Sequence, residues 1–281
     1  MYDFKIQNER GEILELTHNQ NYIIKSITGL TPMGATIQTT TIGNKDGARY
    51  NSSRANVRNI VVNVSPSYPV DENRIALYNY LPVGKNIRIF YKNNIRNVYI
   101  DGYVESVDGD LFEKGETMQV SILCPQPYFI AVEDTERTLL NVLSLFETPF
   151  TIPLEGMAFS EVINENLEFN NQGEKESGLY FEVEFSTYIG KITIRDNVRN
   201  ETFSIEYDFQ PYDVLQINTN TGEKEVTLIR CGKAYNLMSI LILQNQWLRT
   251  SLGFNSFSVT TDKGSQNFRL SASWNEMYQG V

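Results

Sequence analysis

The chain has 281 residues, of which 41% are hydrophobic and 12% aromatic, and its formal net charge is −10. This length is sufficient for one large or two ordinary domains, each with its own core. No apolar run approaches the roughly 18 residues that a membrane-spanning helix requires, so we expect no membrane partner.

The charge is divided unevenly along the chain. Residues 1–128 contain 13 basic and 13 acidic residues, whereas residues 129–281 contain 11 basic and 21 acidic residues and so carry the whole excess. This asymmetry suggests two units with different electrostatic surroundings. Because phosphate contacts dominate nucleic-acid affinity, the acidic second half argues against specific nucleic-acid binding.

The first half is predicted to consist mainly of strands, interrupted by one helix. The alternation of β-branched and polar residues predicts strands at 21–30, 35–43, 58–65, 86–91, 97–106 and 116–125. In the last two, alternate residues are predicted to face the core: Val98, Ile100, Val104, Ser106, Met118, Val120, Ile122 and Cys124.

The predicted helix spans about 71–81, with Asp71 as its N-cap and Glu72 in its first turn. Pro82 and Gly84 would end it, and three residues would share one face: Leu77, Tyr78 and Leu81.

The second half reads as a series of short strands between turn signals. They are predicted at 178–187, 190–198, 201–209, 213–229 (with a turn at NTNTG), 239–245, 255–264 and 267–278. This spacing is typical of a β-sandwich, whereas residues 138–146 fit either a short helix or an apolar strand. We therefore predict a mainly β protein with domains at 1–135 and 136–281, in which the last strand could pack back toward the first domain.

Few residues suggest catalysis or metal binding. His18 is the single histidine and lies in a polar loop, and Cys124 and Cys231 are too far apart for a CxxC site and are predicted to be buried thiols. Glu182 and Glu184 fit either glycosidase chemistry or an acid-rich strand surface, and the second interpretation is the commoner. We predict no enzyme, no catalytic residue, no cofactor and no metal.

The two tryptophans permit a different function. Trp247 and Trp274 could stack on sugars, or they could be core residues of the sandwich, which is the interpretation that we favour. A carbohydrate-binding host-attachment protein is therefore the alternative hypothesis. An accessory domain of a glycoside hydrolase is a third, but it would need a catalytic partner.

The segment 47–64 stands out because it contains three arginines, Arg49, Arg54 and Arg58, and no acidic residue. With no lysine and only one aromatic residue, Tyr50, it is a weak nucleic-acid signal. Arginine is enriched at protein interfaces, where it pairs with carboxylates and packs on aromatic rings. A solvated loop and a protein interface fit this segment equally well.

Three segments resemble a known family. RYNSSRANVRNIVVNV followed by ENRIALYNYLPVGK, the strand and corner VSILCPQPYF, and the ending FRLSASWNEMYQGV are similar to the distal tail (Dit) proteins of siphophages. The matches lie in the N-terminal half and the last 30 or so residues, in the family's order.

This resemblance implies a structural protein of the virion tail, assembled in the host bacterial cytoplasm. Its first domain would be a β-sandwich with one helix that forms a hexameric ring, and its second a galectin-like β-sandwich. The ring would join the tail tube to tip or baseplate proteins, with a receptor-binding protein as a further candidate partner, and would let the genome pass. The predicted assembly surface comprises Arg49, Tyr50, Ser53, Arg54, Arg58 and Tyr78.

Overall fold

A computed structural model describes residues 2–43, 46–109, 115–133, 135–140, 166–262 and 268–281. The chain divides into two compact units, one formed by Met1–Glu133 together with Met277–Val281 and the other by Asp134–Glu276. Within the described ranges the secondary structure is mainly β with a single α-helix, which confirms the predicted fold class.

The elements of the first unit are β1 Asp3–Asn8, β2 Ile13–Glu15, β3 Tyr22–Thr28, β4 Ala35–Thr41, β5 Ala48–Ala55, β6 Arg58–Pro66, α1 Val70–Tyr80, β7 Asn86–Lys92, β8 Asn97–Gly109, β9 Met118–Cys124 and β10 Phe129–Ala131. Those of the second unit are β11 Thr135–Leu140, β12 Asn166–Asn171, β13 Tyr180–Phe185, β14 Ile189–Asp196, β15 Glu201–Phe209, β16 Val214–Asn218, β17 Glu225–Arg230, β18 Lys233–Asn236, β19 Gly253–Thr261 and β20 Phe268–Trp274. Strand β21, Met277–Tyr278, returns to the first unit.

The first unit is built on one nine-stranded sheet. Seven strands follow the order β2-β1-β7-β8-β9-β6-β3, and β10 pairs with both β8 and β21. Side chains alternate across a sheet, and the inward positions predicted for β8 and β9 are buried, Ser106 alone being only half-buried. The core of this unit is therefore one apolar face of the sheet, together with buried residues of the helix.

The helix begins one residue earlier than predicted, and its cap differs. Pro69 is the N-cap residue and makes no side-chain capping bond, so the assignment of Asp71 as N-cap is wrong. Asp71 lies in the first turn instead, where a carboxylate interacts favourably with the helix dipole. Its side chain also forms an ion pair with Arg74. Leu77 and Leu81 are buried against the sheet. No helix in the described part of the chain is long and apolar enough to cross a membrane.

The second unit is a sandwich of two antiparallel sheets. One has the order β11-β20-β13-β16-β17-β18 and the other β12-β19-β14-β15. Every second residue of their central strands is buried, and aromatic rings fill much of the shared core. Among the described residues, Phe169 and Trp274 stack at 3.8 Å between ring centroids, and Phe185 and Phe209 stack at 4.4 Å.

One predicted strand of this unit is wrong. A second predicted stretch, 138–146, lies only partly within the described residues. Residues 239–245 form no strand, since the chain makes a 3-10 turn at Met238–Ile240 and continues irregularly. Hydrogen bonds hold this stretch in place: the Asn245 side chain accepts from the Ser204 amide and donates to the Ser204 carbonyl. The apolar side chain of Leu243 is left fully exposed. Of the ambiguous stretch 138–146, residues 138–140 are strand and residues 141–146 lie outside the described residues.

The two cysteines are free and differ in environment. Cys124 is buried, as predicted, but Cys231 is exposed in the turn after β17, so the prediction of a second buried thiol is wrong. Burial raises the pKa of the Cys124 thiol to about 12, which keeps it protonated at neutral pH.

We therefore expect a thiol reagent at neutral pH to modify Cys231 rapidly in the native chain and Cys124 only after unfolding. Counting modified thiols by mass spectrometry, with and without denaturant, checks this. A Cys231→Ser chain that still reacted rapidly under native conditions would contradict the assigned environments.

Candidate functional site: the β4–β5 hairpin and its base

Strands β4 and β5 form a two-stranded sheet of their own. They pair with each other and, among the described residues, with no other strand. Every side chain from Ala35 to Thr41 and from Ala48 to Arg54 is exposed, so the hairpin contributes nothing to the core. An isolated two-stranded ribbon is marginally stable in water, and its open edges can pair with further strands. The segment 48–55 is therefore an exposed strand. This fact alone favours neither a solvated surface nor a protein interface.

A β-bulge sorts the side chains of this hairpin onto two faces. Gln38 pairs with Ser52 and Thr39 with Tyr50, so Asn51 is an extra residue on β5. Arg49 and Arg54 are five residues apart and would lie on opposite faces of a regular strand. Because they oppose Thr40 and Thr36, which share one face of β4, the bulge brings both arginines to the same side.

The opposite face of the hairpin carries Tyr50, Ser53 and Ile37. The Tyr50 hydroxyl donates to the Ser53 hydroxyl at 2.9 Å, which fixes the ring along the strand. Tyr50 is 59% exposed and Ile37 is 62% exposed. The hairpin thus presents a cationic face and an aromatic–aliphatic face, and no carboxylate of the described residues pairs with Arg49 or Arg54.

Arg58 differs from the other two arginines because it lies inside the first unit. It is only 2% exposed, and its guanidinium lies 4.6 Å over the Phe129 ring. It donates to four backbone carbonyls: those of Pro127 at 2.7 Å, Thr31 at 2.8 Å, Gly29 and Gln279. Burial lowers the pKa of this group from its usual value. A buried cation that joins three separate backbone segments is structural, so Arg58 does not belong to an exposed assembly surface.

The sequence did not point to a further arginine, which contacts residues 277–281. Arg96, in the turn between β7 and β8, donates to the Gly280 carbonyl and lies 4.3 Å over the Tyr278 ring. The Val281 amide donates to the Leu30 carbonyl at 3.1 Å. Residues 277–281 are thereby joined to the segment that leads into β4, and nothing in the local sequence around Arg96 signals this.

Tyr78 occupies a different part of the first unit. It lies on α1 and is 38% exposed, whereas Arg49, Tyr50, Ser53 and Arg54 all lie on β5. The structure therefore collects four of the six predicted residues on one exposed element, and places Tyr78 on another and Arg58 in the interior.

The candidate groups of the second unit are engaged in structural contacts. Trp274 is 2% exposed and belongs to the core, as predicted, while Trp247 is partly buried beneath Lys224. Glu182 accepts a hydrogen bond from Gln216 at 3.0 Å, and Glu184 pairs with Arg269 at 3.7 Å. A core tryptophan cannot serve as a sugar platform without unfolding of the strand that carries it.

Comparisons with known proteins agree with this fold. Residues 172–278 match the family model described as siphovirus-type tail component, C-terminal domain. No curated protein sequence matched the chain.

Two kinds of solved structure share the architecture over nearly the whole chain. The Dit protein of phage SPP1, described as a paradigm of the hub adsorption apparatus in phages infecting Gram-positive bacteria, matches with a TM-score of 0.71 and 11% identity, over 97% of this chain and 98% of that one. A chain of the phage P2 baseplate in its activated conformation with Ca matches with a TM-score of 0.53 and 11% identity, over 97% and 98%. The same baseplate with Sr gives 0.52 and 12%, over 96% and 98%.

The chain therefore has the fold of these phage hub and baseplate proteins, and part of its second unit matches a siphovirus-type tail component domain. The resemblance to the siphophage distal tail proteins is confirmed, since the chain is Dit-like in fold and its residues 172–278 match the siphovirus tail component family. This family is structural rather than enzymatic.

Proposed function

We propose that this chain forms the ring-shaped hub of a siphophage tail tip. In this proposal six copies close a ring that joins the tail tube to a tip or baseplate protein, and the genome passes through its bore. The domain comprising residues 1–135 supplies the ring contacts, and the galectin-like domain comprising residues 136–281 is available to peripheral partners, among them a receptor-binding protein.

The observation that carries the proposal is the unpartnered β4–β5 hairpin. A ribbon with two open edges and no buried side chain gains stability when strands of neighbouring copies pair with it. A ring requires a heterologous contact, in which one surface of each copy meets a different surface of the next. The cationic face of the hairpin, with Arg49 and Arg54, suits a carboxylate-bearing or carbonyl-rich neighbour.

The near-neutral charge of the first half also supports it. Residues 1–128 carry equal numbers of basic and acidic residues, so adjacent copies would bring these domains together without net repulsion. The excess of negative charge lies in residues 129–281, which the proposal keeps out of the ring contact.

The proposal is tested by charge reversal on the hairpin. We expect Arg54→Glu to weaken ring formation about tenfold or more, because a carboxylate replaces a cation at a desolvated contact. Mass photometry and negative-stain imaging over a range of protein concentrations measure the fraction in rings, alone and with tail tube protein. Arg195→Glu is the matched control, since Arg195 is an exposed strand residue of the second unit.

Two outcomes would contradict the proposal. An Arg54→Glu chain that assembled rings and bound tail tube as the wild type does would remove the hairpin from the assembly surface. A wild-type chain that stayed monomeric even with its tube protein would contradict the ring itself.

A further inference from the structure

The position of the β4–β5 hairpin depends on its base, because the hairpin itself makes no core contact. The base consists of the segment 29–34, which leads from β3 into β4, and Asn56 and Val57, which lead from β5 to Arg58. The Asn56 amide donates to the Gly34 carbonyl at 3.0 Å, and this bond joins the two sides of the base. Whatever holds segment 29–34 therefore sets the direction in which the hairpin leaves the sheet.

Segment 29–34 is held by groups that come from distant parts of the sequence. Arg58 donates to the carbonyls of Gly29 and Thr31, and the Val281 amide donates to the carbonyl of Leu30 between them. Three successive carbonyls are thus fixed by one buried cation and by one amide of the segment 277–281.

The same segment 277–281, hereafter the tail, is fixed by the same arginine and by a second one. Arg58 donates to the Gln279 carbonyl and Arg96 to the Gly280 carbonyl, and β21 pairs with β10 through Met277 and Tyr278. Arg58 therefore bonds to the hairpin base and to the tail at once, so that displacement of either one leaves the buried guanidinium with unused donors.

The contact between tail and base is close enough to exclude a side chain at one position. A Cβ on Gly280 would lie 2.8 Å from Pro32 Cδ, 3.0 Å from Pro32 N and 3.2 Å from the Leu30 carbonyl oxygen. Gly280 is buried, and its backbone has no positive φ. The requirement for glycine at this position is therefore imposed by the neighbouring base segment and not by its own conformation.

We propose that the tail, with Arg58 and Arg96, acts as a latch that holds the β4–β5 hairpin in the orientation needed for assembly. The proposal rests on the proposed function in one respect only, that the hairpin is the assembly surface. Its physical content is that releasing residues 277–281 frees segment 29–34 and with it the hairpin, while the rest of the nine-stranded sheet stays folded.

The substitution Gly280→Ala tests the latch, and Gly34→Ala is its matched control. Gly34 also lies in the base and has no positive φ, but a Cβ there would meet only Asn56 Nδ2 at 3.8 Å, an ordinary contact. Hydrogen exchange is measured on both chains at a concentration where they are monomeric. We expect Gly280→Ala to accelerate exchange about tenfold in 29–41 and 48–56, with β7 unchanged, and Gly34→Ala to match the wild type.

A second variant covers the case in which Gly280→Ala disturbs the whole unit. Arg96→Ala removes the bond to the Gly280 carbonyl and the contact with the Tyr278 ring from a half-buried position. It should accelerate exchange in the same two segments, and both variants should lower the fraction in rings about tenfold at a fixed concentration.

The outcomes separate the latch from the proposed function. Exchange in 29–41 and 48–56 that stayed at the wild-type rate in both variants would overturn the latch, whatever the rings did. Faster exchange with unchanged ring formation would also overturn it as an assembly device. If Arg54→Glu formed normal rings while the exchange effect held, the assembly surface would be refuted and the mechanical link between tail and hairpin retained.

Discussion

Replacing Arg58 by methionine is expected to lower the free energy of unfolding of the first unit by about 3–5 kcal/mol. Methionine has a similar length but no donor, so the carbonyls of Gly29, Thr31, Pro127 and Gln279 would lose their shared partner in the interior. Buried acceptors without a donor keep their full desolvation cost. This cost is the reason for an effect far larger than that of a surface arginine.

The two units can be followed separately in this experiment. Both tryptophans of the chain, Trp247 and Trp274, lie in the second unit, so their fluorescence in urea reports that unit alone. Hydrogen exchange in β7 and β8 reports the first unit. Arg54→Met is the matched control, since this arginine is exposed and its loss should change stability by no more than about 0.5 kcal/mol. Equal effects of the two substitutions on the first unit would show that the buried guanidinium stabilises nothing.

Replacing Trp274 by alanine is expected to lower the free energy of unfolding of the second unit by about 3–5 kcal/mol. The ring is 2% exposed and stacks on Phe169 at 3.8 Å, so alanine would leave a cavity in the core of the sandwich. Urea unfolding followed by the fluorescence of Trp247 measures the loss. Trp247→Ala, at a partly buried position, should cost less.

Phenylalanine at position 274 refines this prediction. The Trp274 indole nitrogen finds no hydrogen-bond partner among the described residues, so Trp274→Phe removes an unsatisfied donor while keeping an aromatic ring. We expect it to cost much less than alanine. The carbohydrate hypothesis makes the opposite prediction, that Trp274→Ala abolishes glycan binding by a domain of unchanged stability, and a glycan array with the full chain decides between them.

The strands of the large sheet could be predicted because one face of each is buried. Val98, Ile100 and Val104 repeat every second residue, and this period is imposed directly by the pleat. The tract 239–245 contains successive apolar residues, which is the pattern of a buried strand. In the structure the Asn245 side chain hydrogen-bonds to β15 instead, and the tract forms no strand. Such a long-range polar contact produces no periodic pattern of residues in the sequence, so it cannot be predicted from one.

The candidate site was predictable only in part for similar reasons. The absence of acids around Arg49 and Arg54 made this segment a candidate, but the bulge at Asn51 that brings both arginines to one face is a property of pairing with β4. The buried position of Arg58 depends on the carbonyls of Gly29, Thr31, Pro127 and Gln279, which the fold alone brings together. Three arginines in one short segment therefore lie in two different environments, one buried and two exposed.

The return of Met277–Val281 to the first unit has a consequence for the order of events during synthesis. A ribosome must translate all of Asp134–Glu276 before the strand that pairs with β10 and the amide that holds Leu30 exist. Domains fold as units while the chain emerges, yet here the first unit to emerge is completed last. On the proposed latch, a nascent chain that has not yet reached residues 277–281 carries a hairpin without its anchor and does not enter a ring.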